Sequence, residues 1–216
     1  MPSHLYVTGT DTDVGKTFVA VQLIRHLISK GENVAAMKPV ASGSVIDGEG
    51  SRNADAVTLM NTANVNAIYD DVNPYAFEPA IAPEYAARAV GTTIQLDVIK
   101  EAFERLNQRA DRVVVEGAGG WLSPVNEDID QADVARALGI EAVIVVVGMK
   151  LGCVHNARAT LQAVAQSGMR MTGWVANEAT SHDPNFDDNL QAIRRYTDAP
   201  LLATIRHNDE RVEWFL

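Results

Sequence analysis

From Tyr6 to Phe18 the chain reads YVTGTDTDVGKTF. A Gly-Lys-Thr triplet that follows an apolar run and opens a helical pattern has the makings of a phosphate-binding loop, G-x-x-x-x-G-K-[ST]. The spacing is longer by one residue: the position five before Gly15 is Thr10, and the glycine stands at Gly9. In such a loop backbone N–H groups and the positive end of the helix dipole meet phosphate oxygens, and glycine at 15 lets backbone approach ligand. Lys16 then reaches the β- and γ-phosphates, and Thr17 offers its hydroxyl oxygen to Mg²⁺. The plainer reading is a helix entry capped by Thr or Asp, with Lys16 merely solvated. Strand, Gly-Lys-Thr and amphipathic helix in succession favour the nucleotide.

Three more segments carry residues of the right chemistry. In VVVEGAGG, Glu116 follows three valines, and open parallel sheets bind ligands outside the carboxyl ends of their strands. There it is placed to assist a metal, although Gly117-Ala118-Gly119-Gly120 also reads as a flexible turn. MKPVASGS brings Lys38, Ser42 and Ser44 toward the same sheet edge as Lys16. Two lysines there can neutralise an anion, but Lys38 before Pro39 also reads as a solvent-facing residue at a strand end. Asp55, in RNADA, opens a helix; an acidic first-turn residue can equally do no more than complement the dipole.

The elements that must position these residues follow from hydropathy. Short apolar, β-rich runs recur at 4–9, 33–39, 111–117, 141–148, 171–177 and 200–205, and helical patterns lie between them at 15–30, 52–62, 94–109, 130–138, 153–167 and 185–196. Near-continuous hydrophobicity suits strands buried on both faces, and the alternation predicts an α/β fold with a mostly parallel sheet and helices on both faces. In the first helix Val19, Leu23, Leu27 and Ile28 form the apolar stripe, Arg25 and Lys30 face outward, and Gly31 stops it. The interval 40–93 is rich in Gly and Pro and reads as loops around short helices. A region this long and irregular is often functional.

At 216 residues, 47% hydrophobic and 21% charged, the chain is expected to form a single domain over 1–216. Its net charge of −10 disfavours a broad grip on nucleic acid or anionic lipid, so an anionic ligand needs a local cationic site. The amino terminus lacks signal-peptide regions and no apolar run approaches a membrane span, which gives a cytoplasmic expectation. One cysteine, Cys153, excludes an intrachain disulfide and reads as a small buried residue. His4, His26, His155, His182 and His207 show no metal-ligand spacing, and Trp121 and Trp174 are expected to pack in the core.

Taken in order, TGTDTDVGKT, KPVASGS, RNADA, NPYAF, VEGAGGW, VVVGMKLGC and GWVAN resemble the dethiobiotin synthetase family over roughly residues 5–177. That family carries the lengthened loop G-x-x-x-x-x-G-K-T on a P-loop NTPase-type fold. The resemblance implies ATP-dependent carboxylation and ring closure of 7,8-diaminononanoate with CO₂, through a carbamate and a carbamic–phosphoric anhydride, to dethiobiotin, ADP and phosphate. It implies Lys38 and Lys16 as catalytic cations, and Thr17, Asp55 and Glu116 as Mg²⁺ ligands. ATP would meet Asp13, Val14, Gly15, Lys16, Thr17, Phe18, Asp55, Glu116, Gly117, Ala118, Gly119 and Asn177, the last on adenine. Thr12, Lys38 and Ser42 would meet the diamine or its carbamate. Gly152 and Cys153 would take the substrate's carboxylate at a helix N-terminus contributed by the neighbouring subunit, which makes the expected assembly a homodimer with shared active sites.

Two other readings belong to the same broad class. Nucleotide switches of the DNA-partitioning type usually carry an extra loop lysine, K-G-G-x-G-K-T, where this chain has Asp11. Corrinoid amide synthetases commonly add a glutaminase domain, for which this chain has no room. Relatives often place a proline-containing loop on the adenine side after the last strand. Here that position reads Ile205-Arg206-His207, and the C-terminal helix expected of the family is cut short at Leu216. A looser purine specificity is therefore expected: turnover with other purine nucleoside triphosphates should approach that with ATP in a side-by-side assay, and strict ATP dependence would contradict it.

Overall fold

The computed structural model describes residues 4–48, 50–180, 182–208 and 212–215; Met1 to Ser3, part of the amino-terminal segment read above, lie outside them. In chain order the elements are β1 (Leu5–Gly9), α1 (Lys16–Ser29), β2 (Val34–Met37), β3 (Val40–Ser42), β4 (Val45–Asp47), β5 (Gly50–Arg52), α2 (Ala54–Thr62), α3 (Tyr69–Val72) and β6 (Tyr75–Phe77). Then follow α4 (Pro83–Ala89), α5 (Leu96–Asn107), β7 (Arg112–Gly120), α6 (Gln131–Ala137), β8 (Ala142–Gly148), α7 (Cys153–Gln166), β9 (Arg170–Asn177), α8 (Phe186–Arg194) and β10 (Leu201–Ile205).

Six of the strands make one sheet in the order β10-β9-β8-β1-β7-β2, and every pairing in it is parallel. The apolar runs explain this arrangement. β8, AVIVVVG, is buried along its whole length. Its Ala142, Ile144 and Val146 join Leu5, Val7 and the inner face of α1 in one core. Val143, Val145 and Val147 join Tyr6, Phe103 and Trp174 in the other. Strands buried on both faces need helices on both, as expected. Trp121 and Trp174 are core residues.

α1 departs slightly from the sequence reading. Its buried stripe runs through Val19, Ala20, Leu23, Ile24 and Leu27, and Ile28 is only half-buried, because a true 3.6-residue period rotates past a strict spacing of four. Gly31, at φ +88°, takes the left-handed conformation that ends the helix. The interval 40–93 holds four short strands beyond the expected helices: β3 pairs with β6, and β4 with β5. At three residues each, they are too short to display a period of two.

The Gly-rich end of β7 is strand, not turn: Gly120 pairs with Gly9 across the parallel ladder. A Cβ at Gly117 would lie 3.0 Å from both the Tyr6 hydroxyl and Gln131 Oε1, so glycine here serves close packing. Residues 212–215 form no helix; the Phe215 N–H donates to the Leu202 carbonyl at the sheet edge (2.8 Å). Among the described residues no helix is long and apolar enough to cross a membrane.

Candidate active site

β1 sits inside the sheet between β7 and β8, and the loop that leaves it is fastened on both sides. The Thr10 N–H donates to the Val146 carbonyl (2.9 Å), and the Gly148 N–H donates to Thr10 Oγ1 (3.2 Å). The loop then takes two left-handed residues, Asp13 at φ 58° and Gly15 at φ 84°; aspartate tolerates that region better than most side chains. Beneath it, Asn177 Nδ2 donates to the Val14 carbonyl (2.7 Å). A side chain at Gly15 would run into that same amide, so glycine is required there by a prop as well as by φ.

An open cleft of about 900 Å³ lies over this loop at the carboxyl ends of the strands. Thr12, Asp13, Gly15, Lys16 and Thr17 reach it from the loop and α1, Lys38, Ser42 and Asp55 from the β2–α2 region, and Glu116, Ala118 and Gly119 from β7. Lys16 is buried, and its Nζ donates to the Asp11 carbonyl (2.8 Å). Burial lowers its pKa, and the nearby charge of Glu116 only partly offsets that.

Lys38 is the hub. It is only 5% exposed, which overturns the solvent-facing reading, and its amine lies 2.5 Å from Glu116 Oε1 and 2.8 Å from Asp55 Oδ2. Burial opposes its charge, but the two carboxylates outweigh that and hold its pKa above the usual lysine value. Asp55 shifts the other way: burial would raise it, and Lys38 brings it below the usual carboxylate value. Thr17 Oγ1 donates to Glu116 Oε1 (2.9 Å), so all three expected metal ligands meet around one amine.

The donor set suits a hard cation. Asp55, Glu116 and Thr17 offer only oxygens, as Mg²⁺ prefers, and Glu116 Oε2 is buried with no hydrogen-bond partner. Among the described residues no group of three or more His, Cys, Asp or Glu forms a metal cage.

Other expected residues lie elsewhere. Val14 is buried beneath the loop, and Phe18, Gly117 and Asn177 do not line the cleft. Asn177 is 2% exposed. Ser44 is buried too, away from the cleft lining. Gly152 caps α7 at φ 89° and Cys153 is buried. Their turn stands outside the cleft of its own chain, with Lys150 Nζ 3.1 Å from Asp11 Oδ2.

Sequence reasoning gave no role to Asn73, although NPYAF was one of its motifs. Asn73 Nδ2 donates to the Lys38 carbonyl (2.6 Å) and, more weakly, to that of Tyr75 (3.2 Å). The Lys38 N–H donates to the Val72 carbonyl (2.8 Å). Tyr69 Oη donates to Asn73 Oδ1 (2.9 Å) and accepts from the Asn53 N–H (2.7 Å). Asn53 in turn caps α2, its Oδ1 accepting from Asp55 and Ala56. One chain of hydrogen bonds thus fixes the backbone at both Lys38 and Asp55. A buried amide needs such partners, but which ones cannot be read from Asn-Pro alone.

The sequence matches the family described as an AAA domain over residues 3–213. A protein of Xylella fastidiosa (strain 9a5c) named ATP-dependent dethiobiotin synthetase BioD is 43% identical over 205 residues, 95% of this chain and 90% of that protein. One of the same name from Xanthomonas oryzae pv. oryzae (strain PXO99A) is 42% identical over 204 residues, 94% of this chain and 91% of that protein. Among solved structures, the septum site-determining protein MinD complexed with Mg-ADP from Pyrococcus horikoshii OT3 has a TM-score of 0.58 at 17% identity, with 95% of this chain and 82% of that chain covered. The cell division protein FtsY of Thermotoga maritima has a TM-score of 0.56 at 15% identity, with 100% of this chain and 65% of that chain covered. Those two likenesses concern the P-loop NTPase fold. Identity above 40% along nearly the whole length concerns the family, and the chain belongs to the dethiobiotin synthetases.

Proposed function

We propose that the chain, as one domain, catalyses the ATP-dependent carboxylation and cyclisation of 7,8-diaminononanoate with CO₂ to dethiobiotin, ADP and phosphate, a step of biotin biosynthesis. The observation that carries this reading is the meeting of two buried lysines, Lys16 and Lys38, with Asp55, Glu116 and Thr17 in one cleft over the P-loop. Joining a carbamate to a γ-phosphate brings two anions together and spreads charge over the transferring phosphoryl group. Fixed cations, here two lysine side chains largely withdrawn from water, stabilise that approach.

In this reading one amine of the substrate takes up CO₂ and becomes a carbamate. A carbamate oxygen attacks the γ-phosphorus and ADP leaves. The second amine then attacks the carbamoyl carbon, phosphate departs and the urea ring closes. Lys16 holds the β- and γ-phosphates, and Lys38 stands beside the carbamate, kept protonated by its two carboxylates. Thr12 and Ser42, both on the cleft wall, bind the diamine end. The backbone from Asp13 to Phe18 and the Glu116–Gly119 segment surround the phosphates, and Asn177, whose amide nitrogen is held by the Val14 carbonyl, is assigned to adenine through its amide oxygen. Mg²⁺, held by Thr17, Asp55 and Glu116, would supply charge neutralisation at the phosphates.

The Gly152–Cys153 turn is assigned to the substrate's carboxylate in a second copy of the chain. Its position outside its own cleft supports a homodimer with shared sites, as does the complete exposure of Leu151 beside it. A site acting on small soluble metabolites, in a chain of net charge −10, also supports a cytoplasmic enzyme without nucleic-acid or membrane partners.

Incubation with 7,8-diaminononanoate, bicarbonate, ATP and Mg²⁺ should yield the cyclic urea by mass spectrometry; ATP hydrolysis without that product would overturn the reading. Lys38→Ala should leave ATP binding mostly intact and lower turnover by roughly 10²–10³-fold, the scale of losing one charge-stabilising donor; unchanged turnover would remove Lys38 from the mechanism. Glu116→Gln and Asp55→Asn should shift the magnesium dependence of nucleotide use to higher concentration. Metal titrations that superpose on the parent's would count against both ligands.

A further inference from the structure

The cleft is chemically lopsided. Lys38, Asp55 and Glu116 stand on the β2 and β7 side of the P-loop, with Asp13 and Lys16 on the loop and the start of α1, while Ala179 and Thr180, just beyond β9, line it on the other side. A nucleoside triphosphate with its phosphates over the loop and its terminal phosphate toward Lys38 must send its nucleoside toward Ala179 and Thr180. Those two residues carry no charge to fix that wall. Something behind them must.

The residue immediately before them is Glu178, 2% exposed, and its carboxylate is fully engaged. Oε2 accepts the His207 N–H (2.8 Å) from the loop after β10. Oε1 accepts the Asp183 N–H and faces His182 Nδ1 at 3.2 Å, both in the loop after β9. The Glu178 N–H itself donates to the Ile205 carbonyl (2.9 Å). Asp183 passes the constraint on to α8: its carboxylate accepts from the Asn185 N–H and from Asn189 Nδ2, each at 2.9 Å. A buried carboxylate is tolerated only with donors of this kind. Burial pushes its pKa up, and the N–H groups of Asp183 and His207 more than reverse that, so the carboxylate stays ionised at neutral pH.

We infer that Glu178 is a positioning residue for the nucleoside end of the site: its buried carboxylate ties the loop after β9 to the loop after β10 and so fixes the wall formed by Ala179 and Thr180. With both oxygens committed to protein donors, Glu178 acts through the loops and not by touching the base. Its neighbour Asn177 props the P-loop at Val14, so successive residues at one strand end hold the two halves of the nucleotide cleft. The inference rests on the reading of that cleft as a nucleoside triphosphate site.

Calorimetry with Mg-ATP and with Mg-tripolyphosphate, which has phosphates but no nucleoside, separates the two ideas. Glu178→Gln keeps the shape but presents an N–H to one of the N–H donors. It should weaken Mg-ATP roughly tenfold, the scale of a lost hydrogen bond to a charged group, with tripolyphosphate affinity changed by less than about twofold. In steady state the KM for ATP should rise while kcat and the KM for the diamine hold. Should that variant fold poorly, His207→Pro removes one of the donors and is expected to give the same split. Unchanged ATP affinity, or equal loss for both ligands, would overturn the role of Glu178. A parent protein that binds neither ligand would overturn the nucleotide reading beneath it.

Discussion

A lysine ammonium with almost no access to water is the constraint around which the site is arranged. Taking such a charge out of water costs several kcal/mol unless opposite charge and hydrogen bonds replace the lost hydration. Lys38 has two carboxylates within 2.8 Å. Those carboxylates would be costly without the amine, so the three groups hold one another in place. Thr17 joins them through Glu116, which couples the P-loop helix to β7 and, through Lys38, to the end of β2.

Holding that triad requires parallel strands whose carboxyl ends lie side by side. β2 and β7 are neighbours in register, with Met37 opposite Val115, so Lys38, just past β2, and Glu116, the next residue of β7, come side by side where that pairing ends. The sheet's double burial supplies the rigidity, since β7 and β8 are packed from both faces. What the strands do not supply is the direction of the chain just past β2. That comes from the 69–77 segment, where Asn73 grips the carbonyl of Lys38 and Tyr69 passes the constraint to the cap of α2.

The legible part of this design is the part written in periodic or punctuated signals. The apolar runs marked each strand of the main sheet to within a few residues, and Gly-Lys-Thr located the loop that floors the cleft. Glu116 was placed by its position after Val113, Val114 and Val115. Lys38 and Asp55 were ambiguous from local sequence because each has an ordinary surface explanation. Their convergence in one cleft is created by residues 17 and 78 positions apart in the chain, a distance that local sequence does not report. Asn73, Tyr69 and Glu178 carried no local signal of their role, since a side chain that positions backbone through long-range hydrogen bonds leaves no spacing rule behind. The strands β3 to β6 were invisible for a related reason: three-residue pairings satisfy backbone groups without imposing a hydrophobic pattern.

The lengthened P-loop has a packing explanation as well as a chemical one. Val14, 1% exposed, drops into the core beneath the loop. It fits because the ends of β1 and β8 are glycines: a Cβ at Gly9 would lie 2.7 Å from Val14 Cγ2, and one at Gly148 would lie 2.6 Å from Val14 Cγ1. The loop is therefore anchored through a buried valine side chain and through the Val14 carbonyl, held by Asn177. With the loop pinned at that point, the preceding residues can arch outward. Thr12 then reaches the cleft, and Asp11 faces Lys150, which holds its carboxyl below the usual carboxylate range. A loop shorter by one residue could keep Gly15, Lys16 and Thr17 on the cleft floor, but it would have less chain between Gly9 and Val14 to carry Thr12 out to the cleft wall.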